Sequence, residues 1–322
     1  YLDVGYTSKA LFTYLRYMLP PDRKHEIVHY TIQNTHDYCL NGFDTPLGMR
    51  EPPAKELSFL CDTIGHYLAG TTGKEGMAAS TLASLGSQLV SEAYRLTSDG
   101  NSLCKVYYYP DDNPELIEAI ERHGLEPISG TTTWYQVTDS LFELGEHRMA
   151  AVAQRYAVPN IRDLLSVMAK STSILEAFDQ KIVDGTEILS YARTILQSMI
   201  QRYPALCGIT RLNIEGARMV GIDTQDVAQT VEETGLFYMM LQNVLSRGFM
   251  SKVDEVSKMK MPPQYRDFHR RRIYELSTSQ RLFAFDELHR LSKGLDPTAK
   301  PPKAMALLMQ WIKEVRKYGI KL

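Results

Sequence analysis

Apolar residues alternate with breakers at the start of the chain in a way that sets its first elements. Tyr1-Leu2-Asp3-Val4 reads as a strand ending at Gly5, and apolar positions then return at helical spacing from Thr7 to Leu19, until Pro20-Pro21 stops the pattern. His25 to Thr31 (HEIVHYT) is rich in β-branched and aromatic residues and predicts a second strand. Strand, helix, strand in that order predicts a parallel α/β unit. Asn41-Gly42-Phe43-Asp44-Thr45-Pro46 follows as a turn-rich loop, the kind of segment in which α/β proteins place ligands. Pro53 can open a helix that runs to Leu68, and a further helix is predicted from Met77 to Leu96.

From Asn113 to about Arg202 the periodicity is almost wholly helical. Pro114 suits a first-turn position with Leu116, Ile117 and Ile120 as the apolar stripe. Thr133-Trp134-Tyr135 starts another helix, Arg148 to Ala157 makes the next, and Pro159 to Met168 and Ile188 to Ile200 add two more. Leu164-Leu165, Ile174-Leu175 and Phe178 are the expected core of this helical region. Strand signals return after Pro204, where Thr210–Ile214 and Arg218–Ile222 flank Glu215-Gly216 as a predicted hairpin. A helix from Val227 to Leu245 would bury Leu236, Met240 and Val244. Met259 to Pro263 reads as a linker, and a charged helix is expected from Tyr265 to Leu276. Arg281 to Phe285 predicts a short apolar strand, Asp296 to Lys303 a Pro-rich loop, and Ala304 to Lys317 a last helix that Gly319 ends before a strand opens at Ile320. The division that results is an α/β part over 1–112, a helical subdomain over 113–203, and a second α/β part over 204–322. No internal repeat or low-complexity tract interrupts it.

Composition narrows the class. Of 322 residues, 44% are hydrophobic and 23% charged, which allows a sizeable core and excludes disordered, collagenous and disulfide-knot classes. Lys and Arg total 36 against 38 Asp and Glu, a net charge of -2 that argues against a protein whose work is to coat nucleic acid. Cys39, Cys61, Cys104 and Cys207 lack the close spacing of a zinc or redox pair and read as free thiols in a reducing compartment. No apolar run reaches bilayer-spanning length. The first and last residues both read as strands cut inside a fold.

The sharpest chemical signal is Leu282-Phe283-Ala284-Phe285-Asp286-Glu287. The apolar run suits a strand buried on both faces, as in a parallel sheet. Two adjacent carboxylates at its carboxyl end need water, metal or a partner to offset their charge. In nucleotide triphosphatases the first carboxylate holds Mg2+ and the second orients the attacking water. The alternative is a strand that meets a helix at an acidic cap, with Asp286 as N-cap and Glu287 as a first-turn charge. His289 and Arg290 lie just beyond, on a helix face or towards a phosphate or a neighbour.

Such a hydrolase requires a GxxxxGK[ST] loop, and this sequence has none. Gly70-Thr71-Thr72-Gly73-Lys74-Glu75 imitates it but has too short a glycine gap, a Glu where the hydroxyl belongs, and a helix before it. It reads as a helix end and loop. A true loop would lie upstream of Tyr1. Other candidates are weaker. His25 and His29 share a strand face without a third ligand. His269-Arg270-Arg271-Arg272 beside Asp267 and Glu275 reads as a solvated, ion-paired helix face or as a contact to phosphate or a neighbouring subunit. Met259 and Met261 alternate with Lys258 and Lys260 in the linker, which suggests docking or mobility. Ser80 and Ser87 have no base or acid at usable spacing.

At this point the residues support a resemblance. LDVGYTSKAL, NGFDTPLGM, TTTWYQVTDSLF with HRMAAVAQRYAVP, NIEGARMVGIDTQDVA, FAFDELHRLS and EVRKYGI together run over essentially the whole chain. In combination they resemble the DotO/IcmB family, the ATPases of type IVB (Dot/Icm) secretion systems, and its relatives in conjugation systems. The resemblance implies a RecA-like P-loop NTPase core with an all-helical subdomain. It further implies ATP and Mg2+, a homo-hexamer at the cytoplasmic side of the bacterial inner membrane, and contacts with a second secretion ATPase and with inner-membrane channel components. Phe283 to Glu287 match the family's Walker B motif, with Asp286 on the Mg2+ side and Glu287 as the catalytic glutamate. The segment ending RKYG matches Arg316 to Gly319, and Arg316 is expected, ahead of Arg290, to reach a neighbour's γ-phosphate. The competing expectations are a non-catalytic hexameric scaffold, against which Asp286 and Glu287 count, and a DNA-transfer motor, which the net charge and the lack of a basic, aromatic-interleaved tract disfavour.

Overall fold

The computed structural model describes residues 6–70, 76–110, 112–214, 216–224, 227, 231–245, 250–279, 281–282, 306, 309–313, 316–318 and 320–321. Helix α1 (Tyr6–Met18) leads through a 3-10 turn at Pro21–Glu26 into strand β1 (Ile27–Thr31). Two long helices follow, α2 (Ala54–Gly70) and α3 (Met77–Thr97). The helical stretch comprises α4 (Pro114–Arg122), α5 (Trp134–Glu143), α6 (His147–Ala157), α7 (Ile161–Lys170), α8 (Thr172–Phe178) and α9 (Ile188–Arg202). Between α8 and α9 lies a small hairpin of β2 (Ile182–Val183) and β3 (Thr186–Glu187). Then come β4 (Met219–Asp223), α10 (Val231–Leu245), α11 (Arg266–Thr278), β5 (Arg281–Leu282) and β6 (Ile320–Lys321). The fold is mixed α/β.

Local chemistry explains the helix starts. The Asn113 side chain accepts from the Leu116 N–H, with Pro114 filling the first turn, where its missing N–H costs nothing. Thr133 and Gln136 form a reciprocal capping box at α5. Asn160 accepts from Arg162 N–H while Asp163 accepts from the Asn160 N–H at α7. The Asp184-Gly185 turn of the β2–β3 hairpin has positive φ at both residues (50° and 71°), the geometry a two-residue hairpin loop needs.

The expected hairpin around Glu215-Gly216 does not form. Residues 219–223 do make a strand, but β4 pairs in parallel with β1, from Ile27 opposite Met219 to Thr31 opposite Asp223. Residues 210–214 are not a strand. Thr210 and Leu212 are buried, and the Arg211 N–H donates to the Cys39 carbonyl, so this stretch is held by the 39–45 loop instead. Parallel pairing demands a long crossover, and here all of α2 to α9 lies between β1 and β4.

The largest core joins α2, α3, α7, α9 and α10 with β1 and β4. Leu164, Ile174 and Phe178 pack into this shared core rather than into one of their own. A second cluster is built by α4, α5 and α6 around Leu116, Trp134, Tyr135, Leu141 and Ala153. A third, smaller one gathers Met49, Val256, Met261, Tyr265 and Ile273. The closest helix contact is between α2 and α3, at Gly65 and Gly86. A Cβ on Gly86 would sit 2.6 Å from the Gly65 Cα, and one on Gly65 would sit 2.7 Å from the Ala83 carbonyl oxygen. Both obstacles are backbone, so neither can yield by changing a rotamer.

Glu92 ties α3 to α8. Arg95 grips both carboxylate oxygens at 2.7 Å, and the Ser171 hydroxyl, the N-cap of α8, donates to the same group. The Arg95 hydrogen bonds first, and then Ser171 and Ser173, hold the Glu92 carboxyl at about 2, against the opposing effect of burial.

Two predictions follow from this packing. Gly86→Ala should destabilise the protein by about 1–3 kcal/mol through overpacking, whereas Gly70→Ala, with open space around its Cβ, should not. Urea unfolding midpoints of the two variants check this. For Glu92, a folded-state value below the unfolded one means stabilisation present above the ordinary carboxylate value of 4.5 and lost as pH falls through about 2. Glu92→Gln should therefore flatten the acid limb of the stability curve in that window. An unchanged acid limb in urea titrations would contradict the assignment.

Candidate functional site

The loop expected to face a ligand is instead the buried centre of the molecule. Leu40, Asn41 and Phe43 are fully enclosed, and Asp44 and Thr45 nearly so. Many of the polar groups taken from water here have partners, most of them from other elements. The Leu40 N–H donates to Ala205 O (2.9 Å), and the Asn41 N–H to Thr210 Oγ1 (2.8 Å). Asn41 Nδ2 donates to Pro159 O (2.8 Å), while its Oδ1 accepts from the Phe43 N–H (3.1 Å). Asn243 of α10 donates to Gly42 O (2.7 Å), and the Tyr94 hydroxyl of α3 to Phe43 O (2.6 Å). Gln154 of α6 donates to Thr45 and Pro46 and accepts from the Gly48 N–H. Thr210 Oγ1 donates to Asp44 Oδ2 (2.7 Å), and Arg155 donates to Thr210 O (3.2 Å), so opposite charges meet in one network. No face of Asn41–Thr45 is left for a ligand.

Arg50 closes the same loop. Burial works against its charge, but Asp139 (2.7 Å) and Asp99 (3.0 Å) raise its pKa above the ordinary value. Its guanidinium lies 4.1 Å from the Tyr135 ring centroid, and the buried Tyr265 hydroxyl donates to the same Asp139 (2.6 Å). Gly48 (φ +76°) lets the Tyr265 ring lie where a Cβ would be. His269 of α11 donates from Nε2 to Leu47 O (2.6 Å), and burial holds its pKa below the ordinary value. So the HRRR segment is not one solvated face: His269 is buried, while Arg270 is half exposed and paired with Asp267 (2.9 Å).

The carboxyl ends of parallel strands are the places where α/β folds hold ligands. At one such edge, β1 and β4 end at Thr31 and Asp223, with the Ile32 N–H donating to Asp223 O (3.0 Å) and Thr224 buried behind them. The sequence reading passed over this edge, although Asp223-Thr224 after an apolar strand carries the same kind of signal as the acidic pair. Phe12 of α1 packs under it, and Gly221 leaves room for the Phe12 and His29 rings, 5.2 Å apart.

At the second edge β5 pairs in parallel with β6, Arg281 opposite Ile320 and Leu282 opposite Lys321. The strand expected at Ile320 is therefore present. Asp286 and Glu287 lie outside the described residues, as do Arg290 and the 71–75 segment. Arg316 is in a 3-10 turn, Arg316–Tyr318, that enters β6. Parallel strands run the same way, so the Arg316–Tyr318 turn lies at the edge where β5 begins. Beside this turn, the Lys55 ammonium meets the Tyr318 hydroxyl and lies 4.6 Å from its ring centroid.

All four cysteines are free. Burial above all pushes the thiols of Cys39 and Cys207 up to about 12, which keeps them protonated. Among the described residues no group of three His, Cys, Asp or Glu is arranged to hold a metal ion. Comparison with protein-family models, with curated proteins and with solved structures gave no match.

Thr210→Val keeps the shape of the side chain but removes the hydroxyl that accepts from Asn41 and donates to Asp44. It should cost about 1–3 kcal/mol, because buried partners are left unsatisfied. Denaturant unfolding with an unchanged slope and a lowered midpoint is the expected result.

Proposed function

We propose that this chain forms part of an ATPase motor subunit of a type IVB secretion system, with a RecA-like core that hydrolyses ATP to energise apparatus assembly or protein export. The reading rests on the resemblance carried by the motifs above. The observation that supports it most is the parallel β5–β6 pair. It gives β5, which directly precedes Phe283–Glu287 in the sequence, a parallel neighbour of the kind an α/β core contains. In this reading Asp286 holds Mg2+, and Glu287 orients the attacking water and accepts its proton. Mg2+ supplies charge neutralisation on the phosphates when bound. No GxxxxGK[ST] occurs in the sequence, so the phosphate-gripping loop is assigned to the protein that contains this chain.

In this reading Arg316 serves a neighbour's nucleotide rather than its own, as the resemblance implies. The expected assembly is a homo-hexameric ring at the cytoplasmic face of the inner membrane, docked on channel components and a second ATPase. Among the described residues no helix is long and apolar enough to cross a membrane. The missing GxxxxGK[ST] favours, as a second reading, a non-catalytic scaffold of the same ring.

In the protein that carries this chain together with its phosphate loop, Glu287→Gln should lower steady-state phosphate release at saturating ATP on the order of 10²-fold. Nucleotide binding should persist. Asp286→Asn should weaken the Mg2+ dependence instead. Turnover within about threefold of the parent for Glu287→Gln rejects the catalytic role, since loss of a general base costs far more. Absence of any hydrolysis by the parent selects the scaffold.

A further inference from the structure

A short extended segment between α3 and α4 has one backbone edge in use and the other open. Val106 faces Thr133 as a single antiparallel bridge. The bonds across it are Trp134 N–H to Lys105 O (3.0 Å) and Tyr107 N–H to Thr132 O (2.7 Å), and Gly130 N–H adds a bond to Tyr107 O (3.0 Å). In this pattern Val106 and Thr133 are the non-hydrogen-bonded pair, so the N–H and C=O of Val106 point away from the bridge. Tyr107 spends both its groups on the inner side, and the alternation of extended backbone turns those of Tyr108 outward with Val106. Among the described residues neither Val106 nor Tyr108 makes a backbone hydrogen bond.

The open edge borders a cleft of about 620 Å³, with Val106, Tyr108 and Tyr109 on its rim and Trp134, Tyr156 and Ile209 among its other lining residues. Trp134 and Tyr156 are stacked at 4.5 Å, a rigid apolar wall. Tyr108 and Tyr109 are 65% and 56% exposed, so two large rings flank the edge uncovered. Among the described residues that line the cleft, the charges are matched. Lys105 holds Asp163 (2.7 Å) and Val158 O (2.8 Å), while Asp112 pairs with Arg211 and accepts from the Tyr156 hydroxyl (3.1 Å).

We propose that this edge is a docking site for an extended, uncharged segment of a partner protein, added as a second strand along Val106–Tyr108. Donor and acceptor pairs two residues apart are what another extended backbone matches. The aromatic walls take its alternate side chains, best β-branched or aromatic. The neutralised charges disfavour a nucleic-acid strand, which needs free cations along its path. The proposal does not depend on the ATPase reading.

The probe is a fluorescent, end-capped hexapeptide of alternating Thr and Val, paired with a version N-methylated at alternate residues, which keeps the side chains but loses the donors facing the edge. Binding is read by anisotropy, and amide hydrogen exchange is followed at Val106 and Tyr108. The expected result is slowed exchange at both amides and affinity for the N-methylated peptide lower on the order of tenfold or more, as loss of main-chain hydrogen bonds implies. Tyr108→Pro, which deletes a donor the fold does not use, should weaken the unmodified peptide to the same degree. Tyr108→Ala should keep the exchange protection at Val106. Equal affinity for the two peptides, unchanged exchange, no binding up to millimolar peptide, or tighter binding of single-stranded oligothymidylate each overturns the proposal.

Discussion

A loop can be buried only if each of its peptide groups finds a partner, and that constraint organises this protein. Leu40 to Thr45 lies at the meeting point of α3, α6, α10 and the 205–212 segment. Each contributes a side chain or carbonyl to it: Tyr94, Gln154, Asn243, Ala205 and Thr210. Apolar packing alone would tolerate some sliding of one helix against another. Hydrogen bonds to fixed carbonyls do not, because a displaced partner leaves a desolvated polar atom behind. Phe43 anchors the loop in the main core, while the polar groups on either side of it fix its orientation.

The same loop joins the large core to the two smaller ones. Gln154 reaches it from the α4–α6 cluster. Arg50, a few residues on, stands between Tyr135 of that cluster and Asp139, which also holds Tyr265 of the third core. Three apolar clusters are thus registered by polar contacts made through one stretch of chain, residues 41 to 50. The strands lie at its borders. β1 feeds into it, and β4 is reached from it through Thr210–Leu212, so the parallel β1–β4 pair inherits its position from this polar centre.

Much of the helical skeleton was legible because its signals are local. Asn113-Pro114, Thr133 with Gln136, and the stripes of α2 and α3 mark helices without reference to the rest of the chain. The hairpin expected at Glu215-Gly216 failed because strand pairing is a long-range choice. The 218–222 strand reads the same whether its partner is nearby or is β1, almost two hundred residues earlier in the chain. The real hairpin, at Asp184-Gly185, had the stronger turn signal but strands too short to show alternation. The loop 41–46 was legible as turn-rich, yet its burial was not, since only the folded structure shows which distant side chains satisfy it. Of the chemistry, the acidic pair was read from an apolar run ending in charge. The edge at Asp223-Thr224 carried a similar pattern and was passed over in favour of the hairpin.

The 205–212 segment shows why the polar centre and the aromatic cleft belong to one structural argument. Ala205 and Thr210 serve the buried loop, whereas Ile209 lines the cleft and Arg211 holds Asp112 at its side. Thr210 faces inward while its neighbours Ile209 and Arg211 line and flank the cleft, so one segment satisfies the interior and shapes a surface. The interior set is over-determined: Thr210 alone meets Asn41, Asp44 and Arg155. That fixes the backbone to which Ile209 and Arg211 are attached. The open edge at Val106 and Tyr108 is held from behind in a related way, since its inner side is spent on Thr132 and Trp134, and Trp134 packs between Tyr107 and Tyr156. A surface held from behind in this way loses little conformational entropy when a partner strand is added, which is the condition under which a few main-chain hydrogen bonds suffice for recognition.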